Sequence, residues 1–195
     1  MLAKPEPLAR PARTGTPRPG ARGEHVILFR IGQQMFAISA NAVQEIRSTD
    51  NLAASAAEIP SPELRKVRHI ITRGHRTIYV VHGATLFGLP NAPASLVFML
   101  RGVRAALLVE AVESMTKISR IIALPQAFCG QERAWYRGLA VLGDTVVPVL
   151  DPDGLLTADE LARLDAALAA KEQARGNPAD AALPRGESEE RQAAP

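Results

Sequence analysis

The sequence predicts an all-β protein made of two small barrels in a pseudo-symmetric pair, closed by a C-terminal helix. Short apolar runs separated by turn residues recur about ten times, the mark of a barrel or sandwich rather than of helices. The chain also repeats itself. At a constant offset of 69 residues, Phe29 falls on Phe98, Ala37 on Ala106, Ala42-Val43 on Ala111-Val112, Arg68 on Arg137, Gly74 on Gly143 and Val80 on Val149. No gap is needed from Phe29 to Phe87, so the repeat is two copies of one β unit. Helical spacing enters only near the end, where Leu161, Leu164 and Leu168 mark one face.

Taken in order, residues 1–23 form a basic tail rich in Pro, Arg and Gly, which lacks the apolar content to offset ordering and is expected to be disordered. The folded region spans 24–156 as two barrel subdomains. Val26–Ile31 and Met35–Ser39 are strands around a turn at Gly32, and Asn41–Arg47 leads into a third. Asn51–Pro60 is Ala-rich and irregular, and Ser61-Pro62-Glu63 starts a helical turn. Val67–Phe87 holds the first copy's hairpin, and Gly88–Pro93 links the copies. Ser95–Leu100 and Val103–Val109 repeat the opening hairpin, and Glu110–Met115 repeats the third strand. Lys117–Leu124 is a weak strand, and Pro125–Arg133 a loop or helical turn. Tyr136–Leu156 is the second copy's hairpin, with Gly143-Asp144 at its tip. Pro148 suggests that its second arm is an edge strand. Thr157-x-x-Glu160 is a capping box that opens a helix over 157–172. Residues 173–195 are expected to be a disordered polar tail.

Charge and composition restrict the function. Residues 1–23 carry five basic side chains and one acidic, 24–156 carry thirteen and eleven, and 157–195 carry five and eight. The basic isoelectric point thus owes much to the first tail. A nucleic-acid surface needs a positive stripe with stacking aromatics, and only 4% of residues are aromatic. The single cysteine, Cys129, excludes an internal disulfide and fits a reducing compartment. No apolar run approaches a bilayer span, and five prolines before Gly20 oppose an amphipathic targeting helix. These features are read as a cytoplasmic protein.

Catalytic and metal chemistry find little support. Asp151-Pro152-Asp153-Gly154 begins like a calcium loop, but Leu156 and Ala162 occupy the sixth and twelfth positions, where Gly and Glu are needed. A turn that ends a strand explains it. His69, His75 and His82 recur every seven residues, which in strands alternates faces, and no close His pair or second Cys completes a zinc site. Cys129 has no neighbouring base and reads as a small packed residue. No cofactor, metal or catalytic residue is assigned, and the chain is not read as an enzyme.

Protein binding is better supported. In a regular strand Val43 and Glu45 share one face, and Gln44 and Ile46 the other, so each face mixes apolar and polar groups. That is either an edge strand with a solvated Glu or a binding surface with an apolar centre and a charged rim. Arg68 starts the next hairpin and Arg73 precedes its turn. Each is either solvated or a planar fork for a partner carboxylate.

NAVQEIR at Asn41–Arg47, VRHIITRGHRTIYVVH at Val67–His82, YRGLAVLGDTVVPVLD at Tyr136–Asp151 and the LLTADELARLDAAL ending, in this order and spacing, resemble the CheW-like family of bacterial chemosensory adaptors. The resemblance covers Glu24 to Glu172. It implies two SH3-like five-stranded barrels around a shared core, no catalysis, and an adaptor that couples chemoreceptor cytoplasmic tips to the regulatory domain of a CheA-type histidine kinase. By position it places Val43, Glu45 and Ile46 at the receptor groove and Arg73 near it. The protein-binding set is therefore Val43, Glu45, Ile46, Arg68 and Arg73. His69, Ile71, Tyr79 and His82 depart from the family's Gly, Asn, Pro and Asp, whereas the second copy keeps Gly138, Pro148 and Asp151. An adaptor of a pilus or surface-behaviour pathway is the nearest alternative. A ligand- or nucleic-acid-binding protein on SH3-like barrels is the alternative of a different class. It is motivated by the basic tail and the first copy's histidines.

Overall fold

The computed structural model describes residues 23–50, 56–58, 64–90 and 93–176. The two predicted tails, the Ala-rich stretch, the turn at Ser61-Pro62-Glu63 and the centre of the linker lie outside these residues, wholly or in large part. The strands are β1 (Glu24–Ile31), β2 (Gln34–Ser39), β3 (Val43–Ser48), β4 (Ala56–Glu58), β5 (Val67–Arg73), β6 (Arg76–His82), β7 (Leu96–Leu100), β8 (Ala105–Val109), β9 (Ala111–Ile118), β10 (Ile121–Ile122), β11 (Tyr136–Leu142) and β12 (Thr145–Leu150). A helical turn, Gly83–Leu86, follows β6, and a long C-terminal helix, Ala158–Gly176, follows β12.

These strands form two six-stranded sheets, one ordered β10-β11-β12-β2-β1-β9 and the other β4-β5-β6-β8-β7-β3. Each sheet follows the same path through the repeat, so the pseudo-symmetry is complete at the level of strand order. The sheets are six-stranded rather than five because the short strands β4 and β10 add an edge to each.

Neither sheet belongs to one copy. The opening hairpin of each copy is inserted beside the closing hairpin of the other. The joins are parallel pairs, β6 to β8 and β12 to β2, whereas the hairpins themselves are antiparallel. Where the repeat alone assigns one barrel to each copy, the structure exchanges hairpins between them. Parallel strands cannot be joined by a tight turn, so each such pair brings together strands that are distant in sequence.

Burial explains the exchange. Phe29 and Phe98 are the same position in the two copies. Both are fully buried, and their rings meet edge to face at 5.2 Å. Around them a shared core collects Ile38, Leu107 and Leu150 from both sheets. Each sheet also wraps a cluster of its own. These are Val26, Leu28, Ala140, Val147 and Val149 in one, and Ile71, Ile78, Val80, Val97 and Met99 in the other. Strands with apolar residues on both faces, such as the fully buried β8, are what this three-layer arrangement requires.

Local irregularities repeat as well. Register slips by one residue at Arg68 and at Arg137, and again at Gln44 and at Glu113, each pair 69 residues apart. These are β-bulges, which re-aim the side chains that follow. The tip glycines Gly74 and Gly143 have φ of +61° and +59°, which only glycine adopts without strain. Gly138 is set by contact: a Cβ there would strike the Ile122 carbonyl of β10.

Pro148 corrects an expectation. Strand β12 is flanked by β11 and β2 and is not an edge. Its ladder to β2 begins only at Val149, whereas the matching ladder of β6 to β8 begins one step earlier, where the Tyr79 N–H donates to the Arg104 carbonyl. Tyr79 occupies the position of Pro148. Proline is tolerated because the ladder stops short of the amide it lacks.

The C-terminal helix begins at the predicted capping box. The Thr157 N–H donates to Glu160 at 2.9 Å, and the Glu160 N–H donates to the Thr157 hydroxyl at 3.2 Å. The helix continues past 172 to Gly176. Leu164 is fully buried, with Leu161 and Leu168 packed beside it. Three polar contacts fix the helix on the sheet that holds β5 and β6. Lys66 pairs with Glu160 at 2.7 Å, Arg104 forks onto Asp165 at 2.6 and 2.9 Å, and the Tyr79 hydroxyl donates to Asp165 at 2.5 Å. The Arg104 hydrogen bonds hold the Asp165 carboxyl below its usual range. Burial pushes Glu160 up, but Lys66 and Thr157 outweigh it and leave that carboxyl low as well.

Truncating Leu164 to Ala leaves a cavity and costs about 2–4 kcal/mol, read as a lower urea midpoint. Both depressed carboxylates stabilise the fold above the unfolded carboxylate range, near pH 4, and this contribution is lost as pH falls through their lowered folded values. Asp165→Asn is therefore expected to reduce the acid dependence of stability, measured by denaturation at pH 7 and pH 3.5.

A candidate protein-docking site on strand β3

Strand β3 lies at one end of its sheet and, among the described residues, pairs only with β7. The bulge at Gln44 decides which of its side chains are available. Val43 opposes Leu100, and Glu45 opposes the next residue, Met99. Neighbouring residues on a strand face opposite ways, so Val43 and Glu45 lie on opposite faces. A regular strand would have put them on one. Val43 is buried in the shared core. It backs this surface and does not form it.

Glu45 is partly exposed and sits in a small ionic cluster. Arg47 Nε and Nη2 donate to its two oxygens at 2.7 and 3.0 Å, and Arg73 Nη1 donates to Oε2 at 3.3 Å. The Arg47 hydrogen bonds, followed by the charges of Arg47 and Arg73, hold the Glu45 carboxyl below its ordinary value. Arg73 comes from the tip of the β5–β6 hairpin, so this contact ties two elements 28 residues apart in sequence. The next residue, Ile46, opposes Phe98 and so lies on the other face of β3, where it is 40% exposed. Strand β3 thus offers fixed charges on one face and a bare aliphatic side chain on the other.

Of the predicted set, the structure brings Glu45 and Arg73 together, and Ile46 follows on the opposite face of β3. Arg68 stands apart. It is the exposed bulge residue at the other end of β5, five residues or about 16 Å along the strand from Arg73. It lies near His82, whose imidazole is lowered by burial, then by the charges of Arg68 and His69. Sequence reasoning did not single out Arg47, although it lies two positions from Glu45 on the same strand. Nor did it single out Met115, which is 64% exposed. Met115 is the counterpart of Ile46 at the 69-residue offset, and that offset is the signal that finds it.

The remaining candidates resolve simply. His82 accepts from the Thr85 N–H and caps the helical turn Gly83–Leu86. Asp151 caps the turn Pro152–Gly154, as expected of a turn that ends a strand. Cys129 is exposed and not packed, because the segment after Pro125 runs over the surface before Gln131–Trp135. Among the described residues no three His, Cys, Asp or Glu side chains gather as metal ligands do. A cleft of about 300 Å³ beside the C-terminal helix is lined by Val103, Arg104, Asp153, Leu156 and Leu161 among others. No helix among the described residues is long and apolar enough to cross a membrane.

None of the curated proteins matches the chain. Among solved structures, the scaffolding protein TtCheW from Thermoanaerobacter tengcongensis shares the fold at a TM-score of 0.58 and 20% identity, over 71% of this chain and 96% of that one. The CheW-like domain model matches residues 25–160, which include both sheets and the start of the C-terminal helix. The chain therefore belongs to the CheW-like domain family and has that family's non-enzymatic adaptor role in bacterial chemosensory signalling.

Proposed function

We propose that this adaptor joins the cytoplasmic tip of a chemoreceptor to the regulatory domain of a CheA-type histidine kinase, and that the rim at β3, with Glu45 and Arg73 on one side and Ile46 on the other, is one of its docking sites. It acts in the cytoplasm, at membrane-bound receptor arrays. The observation that carries this reading is the Glu45–Arg73 contact on a rim strand whose other face exposes Ile46. A bare aliphatic group offers a partner apolar area to bury, and a rim of fixed charges sets register and rejects mismatched partners. Val43 supports this face from beneath. Arg68 contributes at a second point on β5, as an exposed guanidinium able to pair with a carboxylate.

An exposed ion pair adds little to stability, so the cluster can be altered without unfolding the chain. Arg73→Glu and Ile46→Asp are each expected to weaken binding of purified receptor tip or kinase regulatory domain by roughly tenfold, with the melting temperature nearly unchanged. Adding Glu45→Arg to Arg73→Glu restores the pair in reverse and recovers part of the affinity. Wild-type affinity in both single variants, measured by isothermal titration, would remove this face from the adaptor's contacts. Val43→Asp is expected to lower the denaturation midpoint instead, because it buries a carboxylate in the shared core.

A further inference from the structure

The two sheets are equivalent in strand order, yet among the described residues only one is covered by a helix. In the covered sheet Ile70 and Tyr79 are cross-strand partners, 5% and 0% exposed, and Tyr79 is held by Asp165 of the C-terminal helix. The same positions in the other sheet, 69 residues on, are Leu139 and Pro148. Both are only half-buried. The next pair, Thr72 and Thr77 in the covered sheet, becomes Val141 and Val146, which are 47% and 55% exposed. Ile122 of β10 extends the row beside Leu139 and is 39% exposed. Five apolar side chains across three strands thus share one face and are half-buried to exposed, whereas the counterparts Ile70 and Tyr79 of the innermost pair are buried. Bare contiguous apolar area of this kind marks an interaction site.

We infer that the outer face of β10, β11 and β12 is a docking site for an amphipathic helix of a partner protein, seated as the C-terminal helix is seated on the opposite sheet. The charges specify the occupant. The covered sheet holds its helix through Lys66 and Arg104, which answer Glu160 and Asp165. At the equivalent positions the open sheet has Trp135 and Met35. Strands β10–β12 carry one charged residue, Arg137, which is already forked onto Glu24 at 2.7 and 2.9 Å. A carboxylate pressed against this face would be desolvated without a partner. The complementary helix therefore presents an aliphatic stripe at i, i+3 and i+7, the spacing of Leu161, Leu164 and Leu168, and is uncharged where this chain's own helix is acidic. This face is separate from the Glu45–Arg73 surface, so the two assignments fail independently.

The probe is a fluorescein-labelled peptide of residues 158–176 carrying Glu160→Ala and Asp165→Leu, titrated with the full-length protein and followed by anisotropy. Saturable binding is expected. The double variant Val141→Lys/Val146→Lys should weaken it by at least roughly tenfold, with an unchanged melting curve, and Arg73→Glu should leave it unaltered. The peptide with its native carboxylates should bind more weakly than the neutral one. Equal affinity in the double variant, no binding to the wild type, or preference for the acidic peptide would each overturn the proposal. So would sedimentation showing a dimer that the double variant abolishes, because the occupant of the face would then be a second copy of this chain.

Discussion

The parallel pairing of β6 with β8 and of β12 with β2 is the constraint on which the rest of the structure depends. Whereas the other pairings between copies, β1 with β9 and β3 with β7, are antiparallel and lie at the rims, these ladders join the copies inside each sheet. They put both opening hairpins in the middle of the molecule, where Phe29 and Phe98 meet across the pseudo-axis. From that follow the shared core, the burial of β8 on both faces and the position of β3 and β9 at the rims. A rim strand has a free edge and partly solvated side chains, and it is there that the family's adaptor function has surface to use.

The copies have diverged in how they finish this common plan. One sheet has Tyr79 where the other has Pro148, and the difference reaches well beyond a ladder step. Burial, then the hydrogen bond to Asp165, push the Tyr79 phenol far up, so it remains a hydrogen-bond donor to the helix throughout the physiological range. Proline has no such group. The single C-terminal helix thus has one chemically suitable seat of the two that the repeat provides, and the molecule is asymmetric in its surface while symmetric in its frame.

Much of this was legible in the residues. The constant offset gave the duplication, the glycines gave the hairpin tips, and Thr157 with Glu160 gave the helix start, because each rests on local geometry. The exchange of hairpins was not legible. Alternation of apolar residues tells which face of a strand is buried, but not which strand lies beside it. Nor were the bulges. An inserted residue such as Gln44 leaves no compositional trace, yet it turned Val43 inward and Glu45 to the other face. The contact between Glu45 and Arg73 depends on that insertion together with the tip of a distant hairpin. For Cys129 the typical burial of its residue type pointed the wrong way, because the surface path of its segment is set by the elements on either side.

The exchanged hairpins also bear on how the molecule can come into being. Severed within the stretch between β6 and β7, the halves would each carry an opening hairpin whose sheet belongs to the other fragment. Two free copies of such a unit could satisfy their strands only by swapping hairpins as a twofold dimer, at a rate and extent set by concentration. Carried on one polypeptide, the swap is intramolecular and independent of protein concentration. An adaptor built this way presents its rims in fixed relation to each other even when it is scarce.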